Sequence, residues 1–209
     1  DSSLSAKLVA DAIGKENVYG IMMPVKGISS DENIKDAAGL CRLIGISHSI
    51  IYINDFIKNF ENMEWQSKIA KMNTSSRIRA VILYHYATTH NALVIGTSNK
   101  TEIMLGYFTK YGDGAVDIEV IGSLFKTEEL ELASYLKIPK KLIEKVPTAE
   151  LYHGQTDEEE LGASYMEIDG ILAKIEKKEE LPKNELVNKI LKRIEDNEHK
   201  RNIPFLVRL

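Results

Sequence analysis

Between Leu93 and Lys126 the chain carries, within one strand, loop and helix passage, the side-chain types that a nucleotide site needs: Thr97, Glu102, Lys110, Asp117 and Lys126. The apolar run Ala92 to Ile95 reads as a buried strand broken by Gly96 and Thr97, after which Ser98 or Asn99 caps a short helix carrying Glu102. Strand ends that open into helices are where α/β sheets bind ligands. From Tyr107 to Asp117, Gly112 and Gly114 permit a tight turn or a close approach to a ligand, and Lys110 and Asp117 bring opposite charges into one neighbourhood. Alone, these residues also fit a solvated loop with a local ion pair. Lys126, just before a helix, stands where a cation can meet a triphosphate, or is an exposed lysine.

The elements that must position these groups alternate. Leu4, Leu8, Val9, Ala12 and Ile13 follow helical spacing, with Asp1-Ser2-Ser3 as the cap and Gly14 as the stop. Val18 to Met23 reads as a strand, Pro24 to Gly27 as a loop, and Ser29 to Glu32 as a capping box for a helix through Leu40, Cys41 and Ile44 to Gly45. A strand at Ser49 to Ile53 follows. Two strand and helix repeats in succession predict parallel pairing and right-handed crossovers. Asn54 caps a short helix to Phe60, and Glu61 to Met72 reads as a mobile loop or lid. A long helix from Asn73 or Thr74 leads to the strand at Ala92; Arg77 and Arg79, two apart, project from different sides of it. Val120 and Ile121 form the last strand, before a helix from Thr127 to Leu136. A second capping box at Thr156 to Glu159 accounts for the acidic run there, and helices at Ser164 to Lys177 and Pro182 to Asn197 precede the basic group His199, Lys200 and Arg201.

Composition excludes several classes. With 209 residues, 44% hydrophobic and 28% charged, the chain suits one ordered domain. A net charge of -4 gives no reason to expect nucleic-acid binding. Lone Cys41 excludes an internal disulfide and cysteine-built zinc clusters, and reads as a buried apolar residue. No apolar run is long enough to span a membrane and no signal peptide is visible, so a soluble, cytoplasmic protein is expected. His85, His90 and His153 fit no catalytic triad spacing.

The segments IGTSNKTE, GYFTKYGDGAVD and IGSLFKTE, in this order, resemble ammonia-dependent NAD synthetases. The likeness extends through NTSSRIR (Asn73 to Arg79), VPTAEL (Val146 to Leu151), GQTDEEELG (Gly154 to Gly162) and EHKR (Glu198 to Arg201). The resemblance implies an α/β, Rossmann-like three-layer sandwich of the adenine-nucleotide α-hydrolase type: a parallel sheet with helices on both faces, then C-terminal helices, in a single domain over 1–209. It implies a ligase in which the nicotinate carboxylate of deamido-NAD attacks the ATP α-phosphate, releasing pyrophosphate, before ammonia displaces AMP. Residue by residue, it implies Asp1, Ser2, Thr97, Lys126 and Thr148 around ATP, and Arg77, Lys110, Asp117, His199 and Lys200 around deamido-NAD. It also implies Mg²⁺ on Asp1 and Glu102, no protein nucleophile, and a homodimer built on the long helix, with Arg79 left for that contact. With Cys41 no candidate amidase nucleophile, the nitrogen source is ammonia, free or from another polypeptide. Asp1-Ser2-Ser3 resembles the tail of the phosphate loop Ser-Gly-Gly-x-Asp-Ser, so the sequence is expected to be part of a longer protein and its strands to fall into two half-sheets. Two other readings compete: another ATP pyrophosphatase (GMP synthetase-like or tRNA-thiolating), which EHKR and TKYGDGAVD disfavour, and a non-catalytic nucleotide-binding dimer.

Overall fold

In a computed structural model of the protein, which describes residues 1–148, 150–152, 154–204 and 206–207, helix α1 (Ser2–Ile13) leads through Gly14 to strand β1 (Tyr19–Met22). Gly14 has a φ of 89°, a backbone state that favours glycine and ends the helix. Asp1 occupies the N-cap position of α1 but makes no capping bond with its side chain, contrary to the sequence reading. Its carboxylate is engaged elsewhere, with Asn99 and Lys126.

Helix α2 (Asp31–Ile44) connects β1 to β2 (Ser47–Ile50), and the two strands pair in parallel from Tyr19 opposite Ser47 to Met22 opposite Ile50. The cap of α2 is Ser30, whose hydroxyl accepts the Asn33 N–H, one residue beyond the expected box. Buried Ala10, Cys41 and Ile46 pack between α1, α2 and β2. Strand β2 starts two residues earlier than its apolar pattern suggested. Ile51 and Ile53 follow it, yet their N–H groups still reach Met22 and Pro24 carbonyls, so pairing persists irregularly past the regular ladder.

Asn54 does not cap α3 (Asn54–Lys58); its amide holds the backbone N–H and C=O of Lys26, clamping the loop after β1 to the loop after β2. Helix α4 (Lys68–His90) begins about a turn and a half before the expected start, because Ser67 accepts the Ala70 N–H. Lys68 to Met72 are therefore helical rather than loop.

Strands β3 (Ile95–Gly96) and β4 (Ile118–Glu119) form a second parallel pair around α5 (Lys100–Leu105). β3 meets the expected run Ala92 to Ile95 only at Ile95, and β4 ends just before the expected Val120 and Ile121; Ile121 is fully buried in the turn after it. Among the described residues the strands form two parallel pairs flanked by helices, not one continuous sheet. Helices α6 (Lys126–Tyr135), α7 (Lys140–Ile143), α8 (Asp157–Leu161), α9 (Tyr165–Lys177), α10 (Glu185–Asp196) and α11 (Glu198–Arg201) complete the chain. Leu105, Phe125, Ile168, Leu172, Val187 and Ile190 make the core that joins α5 to α9 and α10. The expected capping box at Thr156 does not form, whereas Ser164 and Glu167 do make one at the start of α9. No described helix is long and apolar enough to cross a membrane.

Candidate active site

The start of α5 gathers the site. Asn99, fully buried, accepts the Glu102 N–H at 3.0 Å while the Glu102 carboxylate accepts the Asn99 N–H at 3.0 Å, a reciprocal capping box. The remaining Asn99 donor reaches across the fold to Asp1, with Nδ2 to Oδ1 at 2.7 Å. One asparagine thus holds Asp1 and Glu102 on either side of itself, using one oxygen of each carboxylate. Burial pushes the Glu102 carboxyl up to about 7, against the Asn99 N–H and the Lys126 charge, which favour its ionised form.

Lys126 closes the group from the start of α6. Its side chain is 4% exposed, and Nζ donates to Asp1 Oδ2 at 2.7 Å and to Glu129 Oε2 at 2.9 Å. The exposed-lysine alternative is excluded by this burial. An ammonium has three N–H donors, so two carboxylates leave one for a further anion. Glu129, at 2% exposure, keeps the buried cation paired before any substrate is present.

A second cation-rich knot surrounds the C-terminal end of α5. The Lys200 Nζ donates to the carbonyls of Gly106 at 2.8 Å and Phe108 at 3.0 Å, Arg201 donates to Met104, and Asn197 to Leu105. These bonds satisfy carbonyls that a helix end leaves orphaned. Lys110 donates to the carbonyls of His199 and Asn202, and Arg77 Nε donates to the Lys110 carbonyl at 3.2 Å. Arg77 and His199 are exposed, so the terminal guanidinium nitrogens and the imidazole face solvent beside two anchored lysines.

The sequence profile of the NAD synthase family matches residues 1–204. An NH(3)-dependent NAD(+) synthetase of Archaeoglobus fulgidus is 44% identical over 210 residues, covering 100% of this chain and 85% of the relative, and one of Methanocaldococcus jannaschii is 44% identical, covering 98% and 83%. Among solved structures, the NMN synthetase of Francisella tularensis superposes with a TM-score of 0.89 at 31% identity, covering 100% of this chain and 85% of that one. The NH3-dependent NAD synthetase of Campylobacter jejuni, in complex with nitrate, gives 0.81 at 32%, covering 98% and 85%. This chain belongs to the NAD synthase family.

Of the residues that NAD synthase resemblance assigned to ATP and metal, Asp1 and Glu102 are held by Asn99, and Lys126 joins them through its bond to Asp1. Thr97 is exposed at the end of β3, and Ser2 is exposed in the first turn of α1. Thr148 is exposed and accepts the Glu150 N–H at 3.1 Å; its segment is tied by Lys145 to Asn33 and Asp36 of α2, not to the Asn99 group. On the dinucleotide side, Arg77, Lys110, His199 and Lys200 cluster, whereas Asp117 is held apart. Its carboxylate accepts the Val94 N–H at 2.7 Å and the Tyr84 hydroxyl at 3.4 Å, and among the described contacts it makes no ion pair with Lys110. Arg79 Nε donates to the Met23 carbonyl at 3.0 Å, on the other side of α4 from Arg77 as the spacing predicted. His153 lies outside the described residues.

Sequence reasoning missed Asn99 as a bridge, Glu129 and Glu119. The cap position of Asn99 was legible, but its contact with Asp1 spans 98 positions and leaves no local signal. Glu129 carried one, standing three residues after Lys126 on a helix. Glu119 accepts the Ser98 N–H at 3.0 Å and covers Gly96, where an added Cβ would lie 2.2 Å from its Oε2. That close approach explains the glycine at the end of β3.

Proposed function

We propose that this protein makes NAD from deamido-NAD, ATP and ammonia through an adenylated nicotinate carboxylate, releasing AMP and pyrophosphate. The observation that carries the reading is the meeting of Asp1, Glu102 and Lys126 around buried Asn99, inside a chain of the NAD synthase family. The physical obstacle to the first step is repulsion between a carboxylate and a triphosphate. Its answer is fixed positive charge, not a protein nucleophile.

Asp1 and Glu102 fit Mg²⁺, which takes oxygen ligands, keeps several waters and needs only one or two carboxylates. Bound there, Mg²⁺ would neutralise charge on the ATP phosphates. Lys126 would give its third N–H to a phosphate oxygen, with Thr97 and Ser2 as hydroxyl donors and Thr148 at the far side of the nucleotide. Arg77 and His199 would meet the dinucleotide phosphates, Lys110 and Lys200 would hold the knot while adding charge, and Asp117 would accept from a substrate hydroxyl or amide.

A homodimer through α4 is part of the same reading, supported by Trp65, Ile69 and Val81, which are 74%, 68% and 69% exposed on or just before that helix. Light scattering on the purified protein tests it. A second substrate reading is favoured by the likeness to the Francisella tularensis protein, described as an NMN synthetase: amidation of the mononucleotide acid. The deciding experiment supplies ATP, Mg²⁺ and ammonium with deamido-NAD or with the mononucleotide acid, and resolves the products by chromatography. Formation of NAD with equal AMP supports the proposal, and AMP release without NAD from either acid overturns it.

A further inference from the structure

The carboxylate of Asp169, on α9, is 5% exposed and has no described ion-pair partner, yet three donors from two other helices converge on it. Its Oδ1 accepts from the hydroxyl of Thr101, and its Oδ2 accepts from Thr127 N and Thr127 Oγ1, each at 2.9 Å. The Thr101 hydroxyl, fully buried, in turn accepts the Lys126 N–H at 3.0 Å. Thr101 directly precedes Glu102, and Thr127 directly follows Lys126. One buried carboxylate therefore grips the neighbours of both groups that the proposed function places on magnesium and phosphate.

Packing alone does not require this arrangement. Burying an ionised carboxylate without a counter-ion is costly, and an apolar side chain among Tyr165, Ile168 and Leu172 would hold α9 in place without that cost. The charge is made tolerable by three hydrogen bonds and by the N-terminal dipole of α6. What it gains is angular: hydrogen bonds at set directions lock the starts of α5 and α6 to each other, where apolar contacts would let them slide. Asp169 takes the Thr127 amide and the Thr101 hydroxyl it orients takes the Lys126 amide, so that the Lys126 side chain and not these two amides of α6 presents the charge.

We infer that Asp169, acting through Thr101 and Thr127, is a positioning residue that sets the separation of Glu102 and Lys126 for Mg²⁺-bound ATP. This rests on the proposed function above. The test uses Thr101→Val, Thr101→Ser and Asp169→Asn in the full chain, each first checked for a cooperative thermal transition. Binding of ATP with Mg²⁺ is then measured by calorimetry without the second substrate, and steady-state constants are measured for both substrates.

Thr101→Val and Asp169→Asn should weaken Mg²⁺-ATP binding by about 10- to 100-fold, the usual effect of removing a partner that orients a metal ligand. Thr101→Ser, which keeps the hydroxyl, should stay within about twofold of wild type, and the KM for deamido-NAD should hardly move in any variant. Folded variants that bind Mg²⁺-ATP like wild type, or that weaken both substrates equally, overturn the inference. If Asp169→Asn does not fold, the Val and Ser pair at Thr101 decides alone. Wild type that fails to bind Mg²⁺-ATP overturns the functional reading as well, whereas wild type that turns over with unaffected variants overturns only this inference.

Discussion

Replacing Glu102 by glutamine should stabilise the ligand-free protein at neutral pH. The carboxyl titrates at about 7 in the fold against an ordinary 4.5, chiefly because the fold withdraws it from water. An acid whose folded value is raised binds its proton more tightly when folded, so ionising it weakens the fold. Below 4.5 the group is protonated in both states and contributes nothing. Between 4.5 and about 7 the penalty grows with pH, and above about 7 it is complete. Taking about 1.36 kcal/mol for each pH unit between the two values gives about 3.4 kcal/mol; Glu102 retains some solvent contact, and screening reduces this to about 2 kcal/mol. Glutamine keeps an oxygen for the Asn99 N–H and carries no charge.

Urea unfolding of both proteins at pH 5 and pH 8, without metal or nucleotide, reads the difference directly. Glu102→Gln should exceed wild type by about 2 kcal/mol at pH 8 and by about 0.5 kcal/mol at pH 5. Saturating Mg²⁺ and ATP should then reverse the order at pH 8, because only the carboxylate gains a ligand. A gap between the two proteins that is the same at both pH values would refute the argument from burial, and an unreversed order would remove Glu102 from the metal.

Further outcomes follow from the site and the proposed reaction. Asn99→Ala removes the α5 cap and the bridge to Asp1, and should cost about 2–3 kcal/mol in urea unfolding, with weaker ATP binding besides. Lys200→Ala should raise the KM for deamido-NAD more than that for ATP and lower stability by about 1 kcal/mol, since the two carbonyls it caps lose a charged donor. Gly96→Ala should reduce expression or lower Tm by several degrees, because its Cβ would meet Glu119 Oε2 at 2.2 Å; Gly96→Ala with Glu119→Ala should recover part of the loss. Chelation of Mg²⁺ should stop AMP release, and glutamine supplied in place of ammonium should give no NAD in a chromatographic assay.

What could be read from the sequence was whatever is local. Apolar spacing placed the helices, Ser164 and Asn99 marked their starts, and Gly14 and Gly45 marked two of their ends. Strand limits were misjudged because β3 and β4 are two residues long and are extended by side-chain bonds: Asp117 accepts the Val94 N–H, a contact that no hydrophobic pattern encodes. The early start of α4 escaped because its first turns bury no apolar face: Ile69 is 68% exposed, and the residues after Ser67 show no helical repeat of apolar positions. At the site, the residue types were legible but their partners were not. Lys126, read as a cation for a triphosphate or an exposed lysine, is buried between Asp1 and Glu129, and Lys200, a substrate ligand only by the family resemblance, caps carbonyls 92 and 94 positions away.

These partners alter how the cations can act. Lys126, Lys110 and Lys200 all have their ammonium groups engaged before substrate arrives, two by backbone carbonyls and one by carboxylates. Each therefore stands where it is needed with little rotamer freedom left to lose, which lowers the entropic cost of binding. The pairing also keeps positive charge in place without the cost of desolvating a bare ammonium. Carboxylates around Lys126 cut its field, so Mg²⁺ on Asp1 and Glu102 would supply the larger share of charge against the triphosphate, with the lysine directing one oxygen. Arg77, exposed and bonded through Nε to the Lys110 carbonyl, keeps its terminal guanidinium nitrogens toward solvent, where they can follow the second substrate. Metal dependence should accordingly fall mainly on ATP, and salt dependence mainly on the dinucleotide, where charges meet through water.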